Sequence, residues 1–289
     1  MLHAAHKAAK RLNMTQSAVS HAISSLETEW GVSLLICDRK KGISLTEIGQ
    51  KTIPHIKEVL NRMETINQEI SLSTNIETGT IRIGTFASAS SCLLPKLLVK
   101  FQEKHPNIKF TFYEGTYEEI TEWLLSGIID IGFVVEVESN TEFDTVPLIK
   151  DRMVVSFHAE HKFLHKDTID MHDIEKEPFI MPTGMYQSHV EELFKQAQIK
   201  PFIRFEVHDC NTIANMVQEG LGITIGPELL LKTQQNIKIE NLILLNYREV
   251  SLTCSSISEA SPAVKEFLKI AENAFHDSNK SSYEEVSIK

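Results

Sequence analysis

Residues 4–29 constrain the fold most, because they contain two short amphipathic segments around a polar break. The first segment runs from Ala4 to Leu12, the break is residues 13–15, and the second segment runs from Gln16 to about Glu29. Thr15 is a good N-cap because its hydroxyl can accept a backbone N–H that a helix start leaves free. In the second segment, apolar residues recur on one side at helical spacing: Ala18, Val19, Ala22, Ile23 and Leu26. The pattern predicts a helix, a tight turn and a second helix.

The other face of this second helix is polar, uncharged and slim. It carries Gln16, Ser17, Ser20, His21 and Ser24. Such a face can enter the major groove of DNA and present hydrogen-bonding side chains to base edges. The spacing alone leaves open a second interpretation, since any small helical hairpin can show the same pattern.

A wing is predicted directly after this pair of helices. Residues 31–35 and 43–45 are two short apolar segments, and the turn between them carries Arg39, Lys40 and Lys41. These cations could contact phosphates or reach into the minor groove.

The distribution of charge permits a DNA-binding head, although the net charge of −10 argues against one. Residues 1–72 contain nine Lys and Arg against seven Asp and Glu, which gives +2. The remainder then carries 20 basic and 32 acidic residues, or −12. The acidic excess therefore belongs to the long C-terminal part of the chain.

The run AAKRLNMTQSAVSHAISSLE at residues 8–27, with GVSLL at 31–35, Arg39 and LTEIG at 45–49, resembles the LysR-type transcriptional regulators. The resemblance covers nearly the whole chain. It implies an α+β multidomain protein with a winged helix-turn-helix (residues 1–45), a linker helix (46–75) and a two-lobed α/β effector domain of the type-2 periplasmic-binding fold (79–276). It also implies that double-stranded DNA is contacted by six residues: Thr15, Gln16, Ser17, Ser20, His21 and Arg39.

One departure concerns the N-terminus. Members of this family usually have another helix before the position of His3, whereas here only Met1 and Leu2 precede it. We therefore expect an N-terminally short member, from a misassigned start, a truncated gene or a fragment. Without that helix, apolar residues such as Val19 and Ile23 would be partly uncovered, at about 1.5–3 kcal/mol for each large side chain.

Residues 46–74 are predicted to form one long helix. From Ile56 its apolar residues follow each other at steps of three or four, which is a heptad-like stripe. Packing on its own domain would explain the stripe, but the length favours a seam between two chains. The family also dimerises through this helix, so we expect a homodimer and, beyond it, a tetramer. A contact with RNA polymerase is a further expectation.

The C-terminal region alternates short β-rich runs with helical stretches. This order predicts two parallel α/β units and a cleft between them. In open α/β sheets, ligands bind beyond the carboxyl ends of the strands. Six residues near such ends are the predicted effector-binding set: Ser88, Ser90, Thr116, Val134, Thr183 and Gly184. Hydroxyls and backbone N–H groups at helix starts favour anions, so the expected co-inducer is a small anionic or polar molecule. The alternative is that these Ser and Thr residues only cap helices.

The remaining features predict no catalytic site, metal site or other cofactor. The sequence has no HExxH, GxSxG, P-loop or GxGxxG motif, and its four cysteines form no CxxC pair. Without a signal peptide or a long apolar run, we expect a cytoplasmic protein with no membrane contact. Residues 277–289 are expected to form a disordered tail. Two rival functions are a cytoplasmic solute-binding module whose shortened head no longer binds DNA, and, less favoured, a small-molecule enzyme.

Overall fold

The computed structural model describes residues 9–10, 14–38, 42–73, 78–135, 143–184 and 186–284. They belong to two compact units that divide between Met63 and Glu64. Within the described part of the chain, no helix combines the length and the apolarity that crossing a membrane requires.

The first unit contains helix α1, Gln16–Trp30, and a two-stranded hairpin of β1, Leu35–Asp38, and β2, Gly42–Leu45. The two strands are antiparallel, with Leu35 opposite Leu45. Gly31 ends α1 in the left-handed region at φ 68°, and its N–H donates to the carbonyl of Glu27. A glycine is favoured there because other residues adopt this conformation only at a cost.

Helix α2, Glu47–Ser73, follows the hairpin and is continuous in spite of Pro54. The helix starts near the predicted position. Thr46 fixes this start as the N-cap, because its Oγ1 accepts the N–H of Gly49 at 3.0 Å. Five apolar side chains of this helix are more than half exposed: Val59, Leu60, Met63, Ile66 and Ile70.

The second unit begins with a parallel α/β lobe. Strand β3, Gly79–Thr85, lies between β4, Ile108–Glu114, and β5, Ile131–Val135, and is parallel to both. The elements of this part are β3 Gly79–Thr85, α3 Ala87–Cys92, α4 Leu94–Gln102, β4 Ile108–Glu114, α5 Tyr117–Leu125 and β5 Ile131–Val135.

Two long strands join this lobe to the next. Strand β6, Asp144–His158, pairs through its first half with β12, Tyr247–Cys254, which in turn pairs with β5. The second half of β6 pairs with β10, Thr224–Pro227, and β11, Ile237–Leu242, of the other lobe. That lobe contains β7 Thr168–Ile169, α6 Met171–Ile174, β8 Pro178–Pro182, α7 Gln187–Gln196, β9 Phe202–Val207, α8 Cys210–Gln218, β10 Thr224–Pro227, α9 Glu228–Leu231 and β11 Ile237–Leu242.

Each lobe has its own apolar core. The first core includes Phe101, Phe133 and Phe267, and the second includes Phe157 and Phe179, all buried. The chain crosses between the two lobes at two segments, β6 near Asp151 and β12 near Arg248. We call these two crossing segments the hinge.

The last helix corrects one expectation. Helix α10 spans Pro262–Glu284, so residues 277–284 continue a helix instead of forming a disordered tail. No glycine or proline interrupts the sequence between Pro262 and Glu284, and polarity alone does not end a helix. Residues 285–289 lie outside the described residues.

Candidate DNA-binding surface and effector cavity

The polar face of α1 is accessible. Ser17, Ser20 and His21 are exposed, while Val19 on the opposite side is buried. Thr15 Oγ1 accepts the N–H of Ala18 at 3.2 Å, so it caps the helix as predicted. Ala22 is the exception to the predicted apolar side, because it is exposed.

The hairpin is fixed to α1 by one carboxylate. Glu27 Oε1 accepts the backbone N–H of Leu34 at 2.6 Å and that of Leu35 at 3.1 Å. The start of β1 is therefore tied to the helix that carries the predicted DNA-contacting residues. Arg39, the predicted wing cation, lies outside the described residues.

A cavity of about 550 Å³ lies between the two lobes of the second unit. The first lobe supplies the start of α3 and the end of β4, and the second lobe supplies the start of α8 and the segment after α9. The lining residues are Ala87, Ser90, Ser91, Glu114, His208, Asp209, Cys210, Asn211, Leu230, Thr233 and Gln234. Cavities of this size suit small metabolites.

The charged side chains of this lining are Glu114 and Asp209, with His208 beside them. The side chain of Glu114 is exposed and makes no hydrogen bond or ion pair with any residue that the structure describes. The side-chain hydroxyl and the backbone N–H of Thr212 donate to Asp209 and hold the pKa of that carboxyl below its usual value. Asp209 is therefore ionised at neutral pH.

A buried polar network lies at the hinge. Arg248, 1% exposed, donates from Nε and Nη2 to Oδ2 of Asp151 at 2.9 and 2.7 Å. It also donates to Ser88 Oγ and to Tyr117 Oη, each at 2.7 Å. Asp151 Oδ1 accepts the N–H of Leu229 in the second lobe at 2.9 Å. One ion pair thus contacts both lobes.

The Tyr117 hydroxyl stays protonated in this network. Burial raises its pKa, and the nearby Arg248 guanidinium only partly offsets that effect. Tyr117 can therefore accept from Arg248 while keeping its own proton.

Of the six predicted effector-binding residues, Ser90 lines the cavity. The carbonyl of Thr183 accepts from His208 Nδ1 at 2.9 Å, and Gly184 lies so close to that ring that a Cβ would be 2.7 Å from Cε1. Both residues therefore border a lining side chain.

The other three do not line the cavity. Ser88 is 3% exposed and is bound by Arg248, Val134 is buried in β5, and Thr116 caps α5. Thr116 takes part in a capping box with Glu119, which is the simpler role that the sequence left open.

Sequence reasoning missed most of the second lobe's contribution, namely His208, Asp209, Asn211 and the pair Thr233 and Gln234. For His208 and Asp209 a signal exists in the sequence, because they directly follow the short β-rich run that forms β9 and ends at Val207. The rule that ligands bind beyond strand ends applies there as well. Thr233 and Gln234 follow a short helix with no such signal.

No cluster of three His, Cys, Asp or Glu side chains that could hold a metal ion occurs among the residues that the structure describes. The four cysteines are free thiols. Burial raises the pKa of the Cys254 thiol to about 11.

Two family models match the chain: the bacterial regulatory helix-turn-helix of the lysR family over residues 3–50, and the LysR substrate binding domain over residues 75–275. The uncharacterized HTH-type transcriptional regulator YvbU of Bacillus subtilis is 37% identical over 272 residues, which cover 93% of this chain and 92% of YvbU. The chain therefore belongs to the LysR family, and it is a DNA-binding transcriptional regulator with an effector-binding domain.

Solved structures agree on the fold. A full-length variant of OxyR from Pseudomonas aeruginosa matches with a TM-score of 0.72 at 17% identity, over 94% of this chain and 89% of the OxyR chain. The effector-binding domain of QuiR in complex with shikimate matches with a TM-score of 0.63 at 24% identity, over 70% of this chain and 99% of that domain. The predicted family and fold class are thereby confirmed.

Proposed function

We propose that a small molecule bound in the cavity between the lobes changes how this regulator binds DNA. The observation that carries the proposal is the position of the cavity, which is lined from both lobes and lies over the start of α3. A ligand that contacts both lobes shifts the balance between their arrangements by its difference in affinity for them. The related domain of QuiR, which holds shikimate, supports the same use of this fold.

For the DNA contacts, we propose the predicted set: Thr15, Gln16, Ser17, Ser20 and His21 on α1, with Arg39 in the wing. Gln16 and His21 carry side chains long enough to reach base edges, and the small Ser17 and Ser20 allow a close approach. The regulator would act as a homodimer in the cytoplasm, by binding and without catalysis.

A gel-shift titration tests the DNA part. The full chain is mixed with DNA from upstream of its own gene at two salt concentrations, and a specific complex that weakens with salt is expected. His21→Ala and Gln16→Ala should each weaken specific binding by about 1–3 kcal/mol, as expected for a lost base contact. Thr28→Ala, an exposed change farther along the same helix, is the matched control. Equal binding by His21→Ala, Gln16→Ala and Thr28→Ala would contradict the assignment.

A further inference from the structure

The hydroxyl and thiol groups that line the cavity donate their protons to other protein atoms. Ser90 donates to Thr85 Oγ1 at 3.1 Å, and Ser91 donates to the carbonyl of Ala87 at 2.8 Å. Thr233 donates to the carbonyl of Leu230 at 2.7 Å, and Cys210 donates its thiol proton to Tyr186 at 3.9 Å. Toward a ligand, these groups therefore offer lone pairs.

The imidazole of His208 also offers a lone pair toward a ligand. Its Nδ1 lies 2.9 Å from the carbonyl of Thr183, and a carbonyl can only accept. Nδ1 must then carry the proton, and in the neutral ring Nε2 is an acceptor. Gln234 uses one amide N–H on Thr233 Oγ1 at 3.3 Å. Among the lining side chains, the amide of Asn211 and the second N–H of Gln234 are left as donors.

The formal charges of the lining side chains also favour a ligand that donates hydrogen bonds. Glu114 comes from the first lobe and Asp209 from the second, so two carboxylates border the cavity from opposite sides. Among the described residues that line it, none is Lys or Arg. Arg248 is not a lining residue: it is 1% exposed and bound to Asp151, Ser88 and Tyr117.

We infer that the effector carries a protonated amine or guanidinium group and donates hydrogen bonds to both lobes. A cation between Glu114 and Asp209 would offset the repulsion of the two carboxylates and stabilise an arrangement in which the lobes are close. A carboxylate ligand would find backbone N–H groups at the start of α3 but no lining cation to balance the two acidic side chains. The sequence predicts an anionic or a polar co-inducer. The lining of the cavity favours a polar ligand and disfavours an anionic one. This inference rests on the proposed function.

Matched pairs of small probes test the inference. The full chain is titrated with butane-1,4-diamine, butane-1,4-diol and butanedioate, and with benzylamine, benzyl alcohol and benzoate. Thermal unfolding and isothermal calorimetry report binding at equal ionic strength. We expect at least one amine to bind and to raise the unfolding temperature more than its alcohol and its acid.

Charge-removing variants assign the effect to this cavity. Glu114→Gln and Asp209→Asn should each weaken binding of that amine about three- to fivefold, since each removes one exposed charge partner. Asn is itself a good N-cap, so Asp209→Asn keeps the start of α8. Glu272→Gln, an exposed change on α10, is the control and should leave the affinity unchanged.

Three results would overturn the inference: the acids bind more tightly than the amines, no amine in the panel binds, or the two cavity variants bind amines as the wild type does. A gel shift with the same probes separates the inference from the proposed function. If butanedioate or benzoate alters DNA binding and the amines do not, the proposed function is supported, because a cavity ligand then controls DNA binding. The inference that the effector is an amine or guanidinium compound would be wrong.

Discussion

At the scale of single residues, Arg248 forms a buried ion pair with Asp151 at the hinge. A buried charge is tolerated only when it is paired and hydrogen-bonded. Arg248 meets that condition through Asp151, Ser88 and Tyr117, and its guanidinium lies 5.4 Å from the centre of the Phe86 ring. The Arg248–Asp151 pair connects the two lobes at the hinge, because Asp151 also accepts a backbone N–H from the second lobe.

Replacing Arg248 by Met should destabilise the effector domain by about 3–5 kcal/mol, because Asp151 is left buried without its partner. Urea unfolding followed by circular dichroism measures the change. The double variant Arg248→Met/Asp151→Leu should recover most of the loss, since no unpaired charge remains. Arg204→Met, at an exposed position on β9, is the control. A loss for Arg248→Met no larger than for Arg204→Met would contradict this account of the hinge.

The raised pKa of Cys254 gives a second prediction at this scale. Because the thiolate is the reactive form and burial raises this pKa to about 11, Cys254 stays protonated at pH 8. The exposed Cys37 should react with iodoacetamide under native conditions, and Cys254 should react only after unfolding. Mass spectrometry of the labelled peptides measures both. Equal labelling of the two in the folded protein would contradict the burial of Cys254.

At the scale of elements, Glu27 joins helix α1 to the hairpin. Glu27→Ala leaves two N–H groups of β1 without an acceptor and should cost about 1–3 kcal/mol in the first unit. The affinity for DNA should fall together with this stability, because the hairpin is no longer held to α1. Glu27→Gln keeps one acceptor oxygen and should retain most of the stability. Thermal unfolding and gel shift are the measurements, with Glu29→Ala as the control. Equal effects of Glu27→Ala and Glu29→Ala would refute the role.

The elements that the sequence predicts well are those with a local signal. Helix α1 has a cap and a periodic apolar side, and β3, β5 and β9 are apolar or alternating runs. Strand β12 is not recognisable in this way, because Arg248 and Glu249 interrupt its apolar pattern. The burial of Arg248 depends on Asp151, which lies 97 positions away, so no local pattern reveals it. The same holds for the cavity, where residues from distant segments meet.

At the scale of the whole molecule, the exposed apolar stripe of α2 predicts a second copy of this chain. Leu60 and Met63 are 58% and 56% exposed, and Ile66 and Ile70 extend the stripe at coiled-coil spacing. Leu60→Lys/Met63→Lys should convert a dimer into monomers, because two cations cannot be buried in an apolar seam. Light scattering after gel filtration measures the mass, with Glu69→Lys as the control. A double variant that stays dimeric would contradict the assignment.

If the cavity between the lobes controls DNA binding, as we propose, then a side chain that fills the cavity must change that binding. Ser90→Trp places a large side chain in the cavity, and Ser255→Trp places the same side chain at an exposed site as the control. The measurement is the dissociation constant and the footprint of the full chain on DNA from upstream of its own gene. We predict that Ser90→Trp remains folded, changes the affinity or the footprint and no longer responds to a cavity ligand. A folded Ser90→Trp that binds this DNA with the affinity, footprint and ligand response of the wild type would contradict the claim.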